Sequence, residues 1–149
     1  MVERFIDAQK VFFEQALFEI KSGKKRGHWI WFIFPQLKGL GRSFNSKYYG
    51  IANLEEATEY LKTPILNQRL REITEALLMI EGKTAIEILG HIDARKVKSC
   101  MTLFNEVAPN DIFADVVKKY FNGHWDKRTL SLLQDKETKG DSLDINNKI

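Results

Sequence analysis

Residues 24–44, KKRGHWIWFIFPQLKGLGRSF, constrain this chain more than any other stretch. Trp29, Trp31, Phe32 and Phe34 need a deep core, whereas Lys24, Lys25, Arg26 and Arg42 need water or an anion. The fold must therefore be centred on 29–34 while its flanks stay at a surface. That apolar run is six residues long, far short of the ~20 that cross a bilayer, and no membrane association is expected. WIWFIF would also suit a buried strand, but a strand needs partners and no other segment reads as one. The expectation is a short buried helix over 28–34, ended at Pro35, because the residue before a proline is pushed out of the α region. Residues 36–43, with Gly39 and Gly41, follow as a loop.

The rest of the chain reads as helix. Over 3–22, Phe5, Ala8, Phe12, Ala16 and Ile20 recur at helical spacing, Val11, Phe13 and Leu17 widen that face, and Gly23 stops it. Asn53 with Glu56 and Thr84 with Glu87 have the spacing of capping boxes. Thr63 and Pro64 open a helix striped by Leu66, Leu70, Ile73, Leu77 and Ile80. Asp93 is expected to cap a helix to about 107 with Val97, Met101, Phe104 and Ala108 on one face and Arg95, Ser99, Thr102 and Glu106 on another. Asn110 or Asp111 starts the next, and Asp126 caps the last, with Leu130 and Leu133 buried. The length of 149 residues suits one domain. The expected fold is all-α, a single compact multi-helix domain over 1–135 around a buried aromatic segment, with polar 136–149 as a flexible C-terminal tail.

Composition narrows function mainly by exclusion. A single cysteine, Cys100, rules out an intramolecular disulfide and a multi-cysteine zinc motif. The N-terminus lacks the apolar core of a secretory signal, so a cytoplasmic location is expected. Net charge is only +3, but its distribution is uneven. Residues 20–54 contain no Asp or Glu and carry Lys21, Lys24, Lys25, Arg26, Lys38, Arg42 and Lys47, leaving the remainder net negative. Such segregation attracts anions. With a pI of about 8.9 and no recognition-helix or aromatic RNA-binding pattern, specific nucleic-acid binding is not expected.

Several runs carry a family resemblance: RFIDAQ, HWIWFIFPQLKGLG, YL with TPILNQRL, IDARKVKSCMTLF, and YFNG with Asp126, Thr129 and Leu130. On these, over about residues 4–133, the chain resembles the domain of unknown function 1810 family, small and mostly helical bacterial proteins. The resemblance implies a helical fold and brings no established reaction. The calpastatin name sometimes attached to such proteins does not suit this chain, because inhibitor repeats of that kind are disordered and this sequence has core-forming periodicity throughout. Gly27, Thr63 and Cys100 stand where Ser, His and Ser are common in the family, so no role is carried over to them.

The candidate site follows from the basic run. His28, His91 and His124 each follow a glycine, but their separations fit no metal motif, and neither metal nor cofactor is expected. His28, between the cations and the aromatic run, is the candidate general acid or base, its ordinary pKa lying near ~6.5. Trp29 is the candidate stacking surface. Lys25, Arg26, Gln36, Arg42 and Ser43, with Ser99 or Thr102, would complete an anion-binding set. Two functions remain open. One is binding, with or without turnover, of an anionic small metabolite such as a nucleotide derivative; the other is docking of an acidic protein on the same basic surface. A concave site favours the first and a flat face the second.

Overall fold

The structure, a computed structural model, describes the backbone of residues 1–147 and the side chains of residues 1–137. Its helices in chain order are α1 (Glu3–Lys21), α2 (Ile30–Ile33), α3 (Phe44–Tyr48), α4 (Leu54–Lys62), α5 (Pro64–Leu78), α6 (Ala85–Leu89), α7 (His91–Val107), α8 (Ile112–Tyr120) and α9 (Lys127–Asn147). The all-α expectation holds: among the described residues the only extended pairing is an isolated parallel bridge between Leu37 and Ile51. In it the Lys38 N–H donates to the Ile51 carbonyl and the Ile51 N–H to the Gln36 carbonyl, each at 2.8 Å. No described helix is long and apolar enough to cross a membrane.

The long helices α1 and α7 act as struts, α1 packed on α5 and α7 on α4, α6, α8 and α9, with α2 between them touching both. α2 keeps only four residues because Trp29 stands outside it as an N-cap without a side-chain cap, and Phe34 turns out of helical geometry ahead of Pro35. The short helix is nonetheless the centre. Trp29, Ile30 and Phe34 are buried to 1% exposure or less, and Phe32 packs its ring on Phe12 and Tyr49.

Several local expectations are corrected. The buried face of α1 runs Phe5, Gln9, Phe13, Ala16, Leu17, Ile20 rather than through Phe12, and Val11 is 71% exposed. The stripe rotates because Gln9 belongs to the core: its amide donates to the Phe32 carbonyl at 2.7 Å and to the Tyr60 hydroxyl at 2.9 Å. Thr63 does not cap α5 with its side chain; its hydroxyl donates back to the Glu59 carbonyl of α4. Asn53 accepts from the Glu56 N–H, but the Glu56 carboxylate turns to Ala52 and Arg4, so the box is half formed. α7 begins two residues before Asp93, behind Gly90 at φ 83°, which frees Asp93 to pair with Lys25 at 2.7 Å. In α9 Thr129 is fully buried while Leu130 is half-buried. α3, unforeseen, is a single turn capped by the Ser43 hydroxyl. The backbone of α9 is helical into the segment expected as a tail, whose last residues, 148–149, and side chains from 138 lie outside the described residues.

Truncating Phe34, fully buried against Trp29, should destabilise the protein by about 3–5 kcal/mol. Denaturant unfolding of Phe34→Ala checks this, and an unchanged midpoint would mean that the aromatic run is not the core.

Candidate functional site

Ile92, Arg95, Lys96 and Ser99 fall at i, i+3, i+4 and i+7 on α7 and so share one face. That face lines a cleft of about 170 Å³ together with Trp31 of α2, Gln36 and Leu40 of the following loop, Asn45 and Ser46 of α3, and Asp126 and Arg128 at the start of α9. Gly50 forms part of the wall, where a Cβ would come within 2.7 Å of the Ser46 carbonyl and of the Lys38 Cβ. Only glycine lets the chain after α3 lie this close to Lys38 and to the Ser46 carbonyl.

The cations in the cleft are differently engaged. The Arg128 guanidinium donates to the Leu40 carbonyl at 3.1 Å. The Lys96 ammonium lies 4.8 Å from the Trp31 ring centre and 3.9 Å from Asp93. Arg95 is exposed, and its guanidinium has no hydrogen bond or ion pair among the described residues.

Asp126 is held from one side. Its Oδ2 accepts from the Ser99 hydroxyl at 2.9 Å, from the Thr129 N–H at 3.1 Å and from the Thr129 hydroxyl, while its own N–H donates to Thr102 Oγ1 at 3.0 Å. The other oxygen, Oδ1, has no hydrogen bond among the described residues. Nor does the buried Trp31 indole N–H.

Of the residues proposed from sequence, Gln36 and Ser99 line this cleft. Lys25 and His28 line a more open neighbouring depression with His91 and Asp93; Trp31 and Ile92 border both. Arg26, Arg42 and Ser43 are exposed and line neither. Thr102 is buried, with its hydroxyl spent on the Lys98 carbonyl and the Asp126 N–H. No histidine lines the cleft. Among the described residues no group of three or more His, Cys, Asp and Glu is gathered as for a metal. Cys100 is buried, and burial pushes its thiol well above the ordinary range.

Trp29 is closed off by a carboxylate just outside the acid-free window. Glu19 Oε1 accepts from the Arg26 N–H at 2.8 Å, the Gly27 N–H at 2.9 Å and the Trp29 indole at 2.9 Å, and Oε2 accepts from Gln15. Burial disfavours this charge, yet the hydrogen bonds from Gly27, Arg26, Gln15 and Trp29 together outweigh it and hold the carboxyl down to about 2. Lys25 is likewise occupied, paired with Asp93, donating to the Gly27 carbonyl and lying 4.8 Å from the Trp29 ring centre.

The family described as protein of unknown function (DUF1810) matches residues 1–133. The chain belongs to that family. A solved structure, the conserved hypothetical protein Rv1873 from Mycobacterium tuberculosis at 1.38 Å, is 42% identical, covers 89% of this chain and 96% of its own, and superposes with a TM-score of 0.87. No curated protein matches. The DUF1810 assignment therefore carries the fold and leaves the activity to be argued from the cleft.

Lys96, Arg128 and Trp31 join the site only in the fold. The α7 stripe was readable, since Arg95 and Ser99 already shared a face; Arg128, far along the chain, gave no local signal.

Glu19→Gln should cost about 1–3 kcal/mol at neutral pH, since four N–H donors, those of Arg26, Gly27, Trp29 and Gln15, lose a charged acceptor. The folded carboxyl titrates below the ~4.3 of a solvated Glu, so its contribution is fully present above about pH 5 and is lost as pH falls through about 2. Unfolding curves of both proteins from pH 6 to pH 2 should converge at the acid end; a gap independent of pH would contradict the role given to the charge.

Proposed function

We propose that the cleft bounded by α2, α3, α7 and α9 binds a small anionic metabolite. The observation that carries this is the group of three cations, Arg95, Lys96 and Arg128, around a concave space, with Arg95 unpaired among the described residues. A guanidinium left without a carboxylate at the edge of a cavity is a ready partner for phosphate or carboxylate. Ser99 is already committed to Asp126, so the reading is one of binding, and it assigns no turnover.

A second reading, docking of an acidic protein, draws on a different surface. Phe44 and Tyr48 stack at 5.7 Å on α3 while remaining 76% and 50% exposed, beside exposed Arg42 and Lys47. The cleft is preferred because it is concave and carries the unpaired guanidinium.

Titration calorimetry with inorganic phosphate and phosphate monoesters, on wild type and on Arg95→Gln/Arg128→Gln, tests the reading. Loss of two charge-assisted contacts should weaken binding by more than about tenfold, and added salt should weaken wild type. Equal affinity in both proteins would remove the anion site. Capture of an acidic polypeptide that depends on Phe44 and Tyr48, with no small anion bound, would favour docking.

A further inference from the structure

Resting on the anion-binding reading above, we infer that the cleft takes the phosphate monoester of a sugar or polyol, its phosphate on Arg95 and Arg128 and a hydroxyl on Oδ1 of Asp126. The charges point this way. Arg95, Lys96 and Arg128 stand against one carboxylate in the lining, and Lys96 is shared with Asp93, so the excess in the cleft approaches two positive charges. A phosphate monoester carries roughly −1.5 to −2 at neutral pH. A zwitterion, offering Asp126 an ammonium and the arginines one carboxylate, carries no net charge and leaves that excess uncompensated.

Asp126 argues against a bare anion. Its carboxylate repels phosphate, yet the fold fixes it in the cleft lining with three donors on Oδ2, from Ser99, Thr129 N–H and Thr129 hydroxyl. Capping α9 accounts for Oδ2 and leaves Oδ1 without a partner among the described residues. A ligand hydroxyl supplies the donor that an ionised Oδ1 accepts, in a charge-assisted bond. The neutral lining from the other elements, Gln36, Asn45 and Ser46, offers further groups that both donate and accept.

Size is consistent with this class. A volume of about 170 Å³ slightly exceeds the ~150 Å³ cavity that accommodates a benzene ring. It holds one sugar-sized skeleton, with the phosphate toward the exposed Arg95 and Arg128. Inorganic phosphate would leave most of it unfilled.

The experiment is calorimetry on the intact chain at fixed ionic strength with ribose 5-phosphate, n-propyl phosphate and inorganic phosphate. Wild type should bind ribose 5-phosphate at least about tenfold more tightly than the two hydroxyl-free probes. Asp126→Asn, which puts an NH₂ group where Oδ1 accepts, should bring ribose 5-phosphate to the level of propyl phosphate while inorganic phosphate binds as before or better. Adenosine 5′-monophosphate, run alongside, separates two sources of this chemistry within the expected result: tighter than ribose 5-phosphate for a nucleotide, weaker for a free sugar phosphate. Equal wild-type affinities for ribose and propyl phosphates would overturn the hydroxyl assignment and leave the anion site standing, a comparison that needs no variant to fold. A preference unchanged in Asp126→Asn would overturn the role of that residue, and failure of all the probes to bind would overturn the anion site as well.

Discussion

Glu19, near the C-terminal end of α1, gathers on one carboxylate oxygen the N–H groups of Arg26, Gly27 and the Trp29 indole. It thereby turns the chain back after Gly23 and pins Trp29, the largest fully buried side chain among the described residues, inside the core. Once Trp29 is fixed, α2 has one way to lie, and Trp31, two residues further on, reaches the edge of the core where it lines the cleft. Lys25 extends the same knot to the first turn of α7 through Asp93, in register with the face that carries Arg95, Lys96 and Ser99. A buried carboxylate needs several donors to remain charged, and here those donors are the groups whose placement sets the geometry of the site.

A second clamp works at the opposite wall. Arg4 of α1 pairs with Glu56 of α4 at 2.9 Å and donates to the carbonyls of Tyr48 and Gly50. It thus ties the segment after α3 to the body of the protein. With the Leu37–Ile51 bridge and the close approach at Gly50, this fixes the loop that brings Gln36, Asn45 and Ser46 to the cleft. Asp126 repeats the logic of Glu19, one oxygen saturated by its own fold, but its second oxygen has no described partner. Glu19 is thus wholly used by the structure, whereas Asp126 keeps one oxygen without a described partner beside the cleft.

Much of the fold was legible because it is written in local terms: helical spacing, the Thr84–Glu87 box, which forms completely, and the stop at Pro35. The aromatic run forms the expected central helix, but shorter than 28–34, since Trp29 is held by a side chain from another helix. The face of α1 turns away from Phe12 because a core amide, Gln9, looks polar in sequence, and its NH₂ finds its acceptors, the Phe32 carbonyl and the Tyr60 hydroxyl, only in the fold. The same non-local pairing explains the site. Counting charges marked Lys25 as available, but the acid that pairs with it, Asp93, lies outside the acid-free window and meets it only in the fold; Arg26 keeps an exposed side chain while its backbone N–H goes to Glu19. Gln36 and Ser99 converge, while Arg128 arrives from the far end of the chain.

The central claim is that an anion is held by Arg95 and Arg128, and the most direct measurement is an anomalous difference map from a crystal soaked in tungstate, a heavy surrogate for phosphate. The account predicts a peak in the cleft within ion-pair distance of both guanidinium groups. A map with its peaks on the exposed Arg26, Arg42 or Lys47 and none in the cleft would contradict it.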